Sequence, residues 1–190
     1  MRLSVVLFLL FFVISAGADI PGKLVIVGGG SEKINGWSDA PYGWALEKSE
    51  NKRVAIITYS ADPTGWLPNY FVNLGAAEAK NFIIPDETTA DLQETYDSLI
   101  TYDVIFFKGG DQWNYYDYYK NTLTHQAIED VFENGGVICG TSAGLAILSG
   151  VIFTAENGTV YPEEALEDPF NYYMTQIGRA SCRERVYCEV

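Results

Sequence analysis

An α/β fold, with a parallel sheet flanked by helices on both faces, is predicted by three features of this 190-residue sequence. Apolar runs without polar alternation recur at residues 23–27, 53–59, 102–107 and 137–139, as expected of strands buried on both faces. Helix-forming stretches separate them, and that alternation makes the strands parallel, with functional loops at their carboxyl ends. The third feature is Gly140-Thr141-Ser142-Ala143-Gly144. It fits G-x-S-x-G, the nucleophile elbow, in which a sharp strand-to-helix turn exposes a serine hydroxyl.

Taken in order, the first strand, 23–27, stops at Gly28-Gly29-Gly30. Residues 40–50 read as a short helix, with Pro41 near its start and Trp44, Ala45 and Lys48 at helical spacing. The second strand, 53–59, leads to a helical segment over 66–80 and a third strand over 81–85. Residues 91–100 form an amphipathic helix with Leu92, Tyr96 and Leu99 on one face. The fourth strand, 102–107, ends in Lys108-Gly109-Gly110-Asp111-Gln112, and residues 113–119 are locally rich in aromatics. Residues 125–134 read as a helix with Ile128, Val131 and Phe132 inward, stopped at Asn134-Gly135. The elbow closes the series: Val137, Ile138 and Cys139 precede the turn, and the helix formers Ala143, Leu145, Ala146 and Leu148 follow it.

The two ends read differently from the rest. Arg2, an apolar run from Val5 to Ile14 and the small residues Ala16-Gly17-Ala18 read as a secretory signal peptide over residues 1–18. The run is shorter than the roughly 20 residues of a spanning helix. The expectation is therefore a secreted domain over residues 19–176, with no membrane contact after cleavage. Residues 177–190 depart abruptly from the acidic, aromatic composition before them and look like the conceptual translation of a sequencing adapter. They read as a non-native tail, with a basic C-terminal tail as the alternative. Trimming both ends takes the formal charge from −13 to −15. Such a surface repels phosphate backbones, which argues against nucleic acid and suits a cationic substrate. Of three cysteines, Cys182 and Cys188 fall in the tail. Cys139 remains alone as a core residue, with no internal disulfide.

Gly28-Gly29-Gly30 lacks the third glycine of a dinucleotide fingerprint, since Lys33 stands there, and no acidic residue ends the second strand near Tyr59. No cofactor or metal is expected. On the same rim, Ser142 is the candidate nucleophile. The amides of Ala143 and Gly110 are candidate oxyanion donors, and Gln112 offers a donor and an acceptor to a polar substrate group. The plainer reading of Gly109-Gly110-Asp111 is a tight turn capping the next helix. Serine needs a base, and the sequence has one histidine, His125. It reads as a surface or capping residue on a helix whose start is expected to face the opposite end of the sheet. Glu156, Glu163, Glu164, Glu167 and Asp168 follow the elbow and read mainly as surface charge. Asn157-Gly158-Thr159 is an N-glycosylation sequon.

Three motifs in order, Val25-Ile26-Val27-Gly28-Gly29-Gly30, Phe106-Phe107-Lys108-Gly109-Gly110-Asp111-Gln112 and Gly140-Thr141-Ser142-Ala143-Gly144, resemble those of the cyanophycinases. These are serine peptidases related to dipeptidase E, built on a class I glutamine-amidotransferase-like, flavodoxin-like fold. The resemblance covers roughly residues 23–175. It implies a serine exopeptidase acting on a β-aspartyl-arginine polymer or related peptides, with Ser142 as nucleophile, Gln112 in the substrate pocket and Glu164 as the acid orienting the base. The implied partner is an arginine-bearing, cationic peptide or polymer, and a homodimer is an allowed assembly. In the family the catalytic histidine and several arginine-contacting residues come after the point where the tail begins. The fold is therefore expected to be incomplete at the C-terminus and the chain inactive. Two further readings stay open. One is an α/β-hydrolase-type esterase, which would want an H-G-G-G-type loop that is not found. The other is a secreted, non-catalytic binding protein with a cleft lined by Trp113, Tyr115 and Tyr116.

Overall fold

A computed structural model describes residues 22–62 and 64–177 of the chain. The signal-peptide reading and all but the first residue of the tail reading lie outside the described residues. Five strands, β1 (Lys23–Val27), β2 (Arg53–Thr58), β3 (Glu78–Ile83), β4 (Val104–Phe107) and β5 (Val137–Thr141), form one sheet in the order β1-β5-β4-β2-β3. Every pairing in it is parallel. Alternate residues of the central strands feed two separate cores, which is why their sequences are continuously apolar. Val54, Ile56, Val104, Phe106, Val137 and Cys139 face one layer; Ala55, Ile57, Ile105, Phe107 and Ile138 face the other.

Helices α1 (Asp39–Lys48) and α2 (Trp66–Asn73) cover the first face through Tyr42, Leu46, Leu67 and Phe71. The second face carries α3 (Glu87–Ala90), α4 (Gln93–Leu99), α5 (Gln112–Tyr119), α6 (Leu123–Glu133) and α7 (Ala143–Ala146). Beyond them, β6 (Ile152–Phe153) pairs antiparallel with β7 (Gln176–Ile177) in a small separate ribbon, with α8 (Pro162–Glu167) between them. Among the described residues no helix is long and apolar enough to cross a membrane.

Three departures from the sequence reading have a clear physical reason. The second helix stops at Asn73 rather than running to residue 80, because Gly75 turns the chain at a φ of +104° that other residues resist. The third strand starts at Glu78 rather than residue 81. As an edge strand it is only half-buried and so tolerates polar residues, and Glu78 accepts from Arg53 of β2 at 2.9 Å. The aromatic stretch after Gln112 is a helix. The Asp111 carboxylate caps it by accepting from the Trp113 N–H at 2.9 Å, and Tyr115 and Tyr119 turn into the core.

The first face is held by interlocking aromatics. Tyr42 meets Phe106 edge-on at 5.1 Å between centroids, and Phe71 meets Phe106 at 5.0 Å. All three side chains are completely buried. Burial of one such ring contributes about 1.5–3 kcal/mol, and each aromatic pair adds about 0.5–1.5 kcal/mol. Phe106→Ala is therefore expected to cost about 3–5 kcal/mol by denaturant unfolding, whereas Trp44→Ala, on an exposed stretch of α1, is expected to stay within about 0.5 kcal/mol.

Candidate active site

The site starts from two close backbone approaches. A Cβ added to Gly140 would collide with the carbonyl oxygen of Gly144 and come within 2.8 Å of Leu145 N. One added to Gly144 would strike the Phe107 carbonyl oxygen and lie 2.7 Å from Phe107 Cβ. Only glycine lets α7 fold back this tightly over the ends of β4 and β5. Between the two glycines the chain reverses within one residue, and Ser142 takes the strain at φ 53°, ψ −116°. L residues avoid this region, and a side chain held there costs of order 1–3 kcal/mol. The Ser142 N–H is anchored by the Val27 carbonyl at 3.0 Å, while its own carbonyl accepts from Leu145 and Ala146. Ser142 is exposed although Thr141 and Ala143 on either side are buried.

Because β5 lies between β1 and β4, the loops after those two strands flank the serine. A Cβ on Gly29 would lie 3.9 Å from Ser142 Cβ; one on Gly109 would lie 3.4 Å from Ser142 Cβ and 3.9 Å from Oγ. Gly109 is thus the glycine of its loop that faces the hydroxyl. Gly110 instead tucks beneath Tyr59, whose Cζ would be 3.0 Å from a Cβ there, and Tyr59 Oη accepts from the Asp111 N–H at 2.6 Å. Tyr115 donates its hydroxyl to the Lys108 carbonyl at 2.8 Å, which fixes the root of the same loop. Ala143 opens α7, so its N–H belongs to the helix terminus that has no intrahelical partner. Gln112 is half-buried, and its amide nitrogen donates to the Phe153 carbonyl at 3.2 Å, tying the rim to β6.

The remaining sequence candidates lie elsewhere. His125 is buried, not on the surface, and the start of α6 is not at the opposite end of the sheet. Leu123 N donates to the Asp91 carboxylate and Thr124 Oγ1 to the Ala90 carbonyl, so this helix start sits beside α3, just past the carboxyl end of β3. A helix that follows a strand begins on the strand's carboxyl side, and α6 obeys that rule. His125 Nδ1 accepts from the Asn121 N–H at 3.4 Å. Glu164 is exposed on α8, and its carboxylate accepts from the Tyr161 N–H at 2.9 Å, which caps its own helix. Glu156, Glu163, Glu167 and Asp168 are also exposed. In the sequon, Asn157 Nδ2, the atom a glycan would occupy, donates to the Tyr172 carbonyl at 2.8 Å. Tyr115 is a core residue and does not line a cleft; Trp113 and Tyr116 stack on each other at 5.6 Å instead.

One group at the rim escapes sequence reasoning. Glu32, in the loop after β1, lies close to Tyr42 and Lys108, and burial pushes its carboxyl above the ordinary range. No local spacing links residues 32, 42 and 108, so only the fold could reveal it. Among the described residues no group of three His, Cys, Asp or Glu side chains could hold a metal ion.

An exposed serine on a left-handed elbow, at the carboxyl edge of a parallel sheet, defines an α/β protein of the nucleophile-elbow class. The profile of Peptidase family S51 matches residues 24–168, and the chain belongs to that family. This agrees with the resemblance to dipeptidase E relatives carried by the three motifs. Among solved structures, a peptidase from an acI-B1 Actinobacterium is similar at 23% identity and a TM-score of 0.57, over 70% of this chain and 59% of that one. A protein from Listeria monocytogenes EGD-e, named for peptidase E, is similar at 17% identity and a TM-score of 0.55, over 82% of this chain and 74% of that one. The chain thus spans about three fifths of the length of the first structure, and both likenesses show the fold. No curated protein matches the sequence.

The strained elbow has a measurable signature. Ser142→Gly is expected to raise stability by about 1 kcal/mol, since glycine relieves strain of 1–3 kcal/mol and gives back about 0.5–1 kcal/mol in chain entropy. Ser142→Ala keeps the strain and is expected to leave the unfolding midpoint nearly unchanged.

Proposed function

We propose that the chain carries the acyl-transfer centre of a serine peptidase of the S51 type, with Ser142 as nucleophile. The observation that carries this reading is the exposed Ser142 side chain, held at positive φ between the Gly29 and Gly109 loops. Attack of Oγ on a peptide carbonyl forms a tetrahedral adduct, on the way to an ester with the enzyme, and places negative charge on the carbonyl oxygen. That charge calls for two N–H donors, and the Ala143 amide together with the Gly109-Gly110 loop supports such a pair. The C–N bond then breaks, the serine proton goes to the leaving amine through a base, and water hydrolyses the ester.

The family supports a serine peptidase; the finer points are ours. A formal charge of −13 favours a cationic peptide or polymer, and a β-aspartyl-arginine polymer combines that charge with an amide to cleave. A leader such as residues 1–18 suits action outside the cell. Gln112 retains its carbonyl oxygen for a substrate N–H while its nitrogen is held by Phe153. The base is the weak point of the 190 residues: their one histidine is held beside α3 and Asn121. We therefore expect these 190 residues by themselves to lack turnover.

The test uses a fluorophosphonate probe and a β-aspartyl-arginine dipeptide substrate. A longer natural form carrying a downstream histidine is expected to label at Ser142 and to hydrolyse the dipeptide, with both lost in Ser142→Ala. Ligand binding without labelling would instead mark a non-catalytic binding protein. Turnover by the 190 residues equal to that of the longer form would sink the argument from the missing base.

A further inference from the structure

Because β4 lies between β5 and β2, the Gly109-Gly110 loop is flanked by the elbow on one side and by the segment after β2 on the other. Its two glycines divide accordingly. The Cβ direction of Gly109 leads to Ser142. That of Gly110 leads to Tyr59, the first residue after β2, where a Cβ would lie 3.0 Å from Cζ and 3.1 Å from Cε1. No residue with a side chain fits at 110 while that ring is in place.

Two tyrosines hold the ends of the loop. Tyr115 donates its hydroxyl to the Lys108 carbonyl at 2.8 Å, and Tyr59 Oη accepts from the Asp111 N–H at 2.6 Å. The two rings brace each other at 5.0 Å between centroids, edge to face. Tyr59 is also fixed from its own side. Buried Thr58 closes a turn around it, donating Oγ1 to the Ser60 carbonyl at 2.9 Å and accepting from the Ser60 N–H at 3.2 Å. The outer polar groups of the loop are thereby occupied. Its inner two, the N–H groups of Gly109 and Gly110, have no acceptor among the described residues.

We propose that Tyr59 is a positioning residue for this loop, its hydroxyl holding the Asp111 N–H so that the inner amides stay open beside Ser142 as oxyanion donors. The role rests on the reading of Ser142 as nucleophile. Two adjacent glycines have little steric preference of their own, so a bond from outside must choose their conformation. The peptide plane between Gly110 and Asp111 is rigid and cannot turn without losing the bond to Tyr59. On its far side Asp111 is fixed by the cap its carboxylate makes on α5. Donors held in place beforehand need no reorganisation when charge develops, which is where their effect on rate arises.

Tyr59→Phe is the informative substitution, since it keeps the ring over Gly110 and against Tyr115 and removes only the acceptor. Tyr96→Phe, which loses a hydroxyl bond from α4 to Asp130 on α6, is the control. In the 190-residue chain, amide exchange followed by NMR is expected to speed about tenfold at Asp111 in Tyr59→Phe and to stay unchanged along β4. In the longer natural form, the maximal rate of fluorophosphonate labelling at Ser142 is expected to fall about tenfold in Tyr59→Phe, with the half-saturating probe concentration unchanged. Tyr96→Phe is expected to label like the unsubstituted protein. An undiminished maximal rate in Tyr59→Phe, a loss carried by the half-saturating concentration, an equal loss in Tyr96→Phe or unchanged exchange at Asp111 would each overturn the proposal. Absence of labelling in the unsubstituted longer form would instead remove Ser142 as nucleophile and this role with it, whatever the exchange at Asp111 shows.

Discussion

The structure turns on how closely α7 approaches the end of β4. Gly144 rests on the Phe107 carbonyl and Gly140 on Gly144, so helix and strand meet at backbone contact, with no side chain between them. The turn joining them has room for a single residue at the reversal, and Ser142 is forced to positive φ. A looser approach would let the serine relax into an ordinary region and fold its hydroxyl back over the helix. The buried sheet below supplies the rigidity: Phe107, Ile138 and Ala143 share one core, and Phe106 and Cys139 the other. Packing of that density transmits the constraint without yielding.

Tyrosine hydroxyls extend the same rigidity to the rim. Tyr115 reaches the Lys108 carbonyl, Tyr119 the Ile84 carbonyl, and Tyr59 takes the Asp111 N–H. Each spends its polar tip on a backbone group that the end of a strand would otherwise leave open, while its ring fills the core. Burial pushes the Tyr115 and Tyr119 hydroxyls far above the normal phenol range, so both act as neutral donors at any physiological pH. The chain's aromatic richness thus goes largely into holding loops rather than lining a cleft.

Much of this architecture was legible because its signals are local. Val54 to Ile57 and Val104 to Phe107 announce doubly buried strands by composition alone, and G-x-S-x-G announces its own turn. What escaped depended on position in the sheet or on distant partners. Glu78 to Lys80 look unlike a strand because an edge needs no apolar alternation. Trp113 to Tyr119 carry few strong helix formers, and packing of Tyr115 and Tyr119 overrides propensity there. The placement of His125 depends on which end of α6 meets the strand ends, and the nearness of Glu32 to Tyr42 and Lys108 has no trace in sequence spacing at all.

The place of β5 in the sheet has a consequence for how the molecule assembles. Lys23 pairs with Val137 and Val104 with that same Val137, so β5 must insert between β4 and β1, and β1 pairs with no other strand of the sheet. Contacts spanning more than a hundred residues close slowly, since loop entropy opposes them until the sheet can reward them. The elbow therefore comes into being only as the sheet is completed. A nascent or half-folded chain holds Ser142 as an ordinary, relaxed serine, and the elbow is a certificate of finished folding.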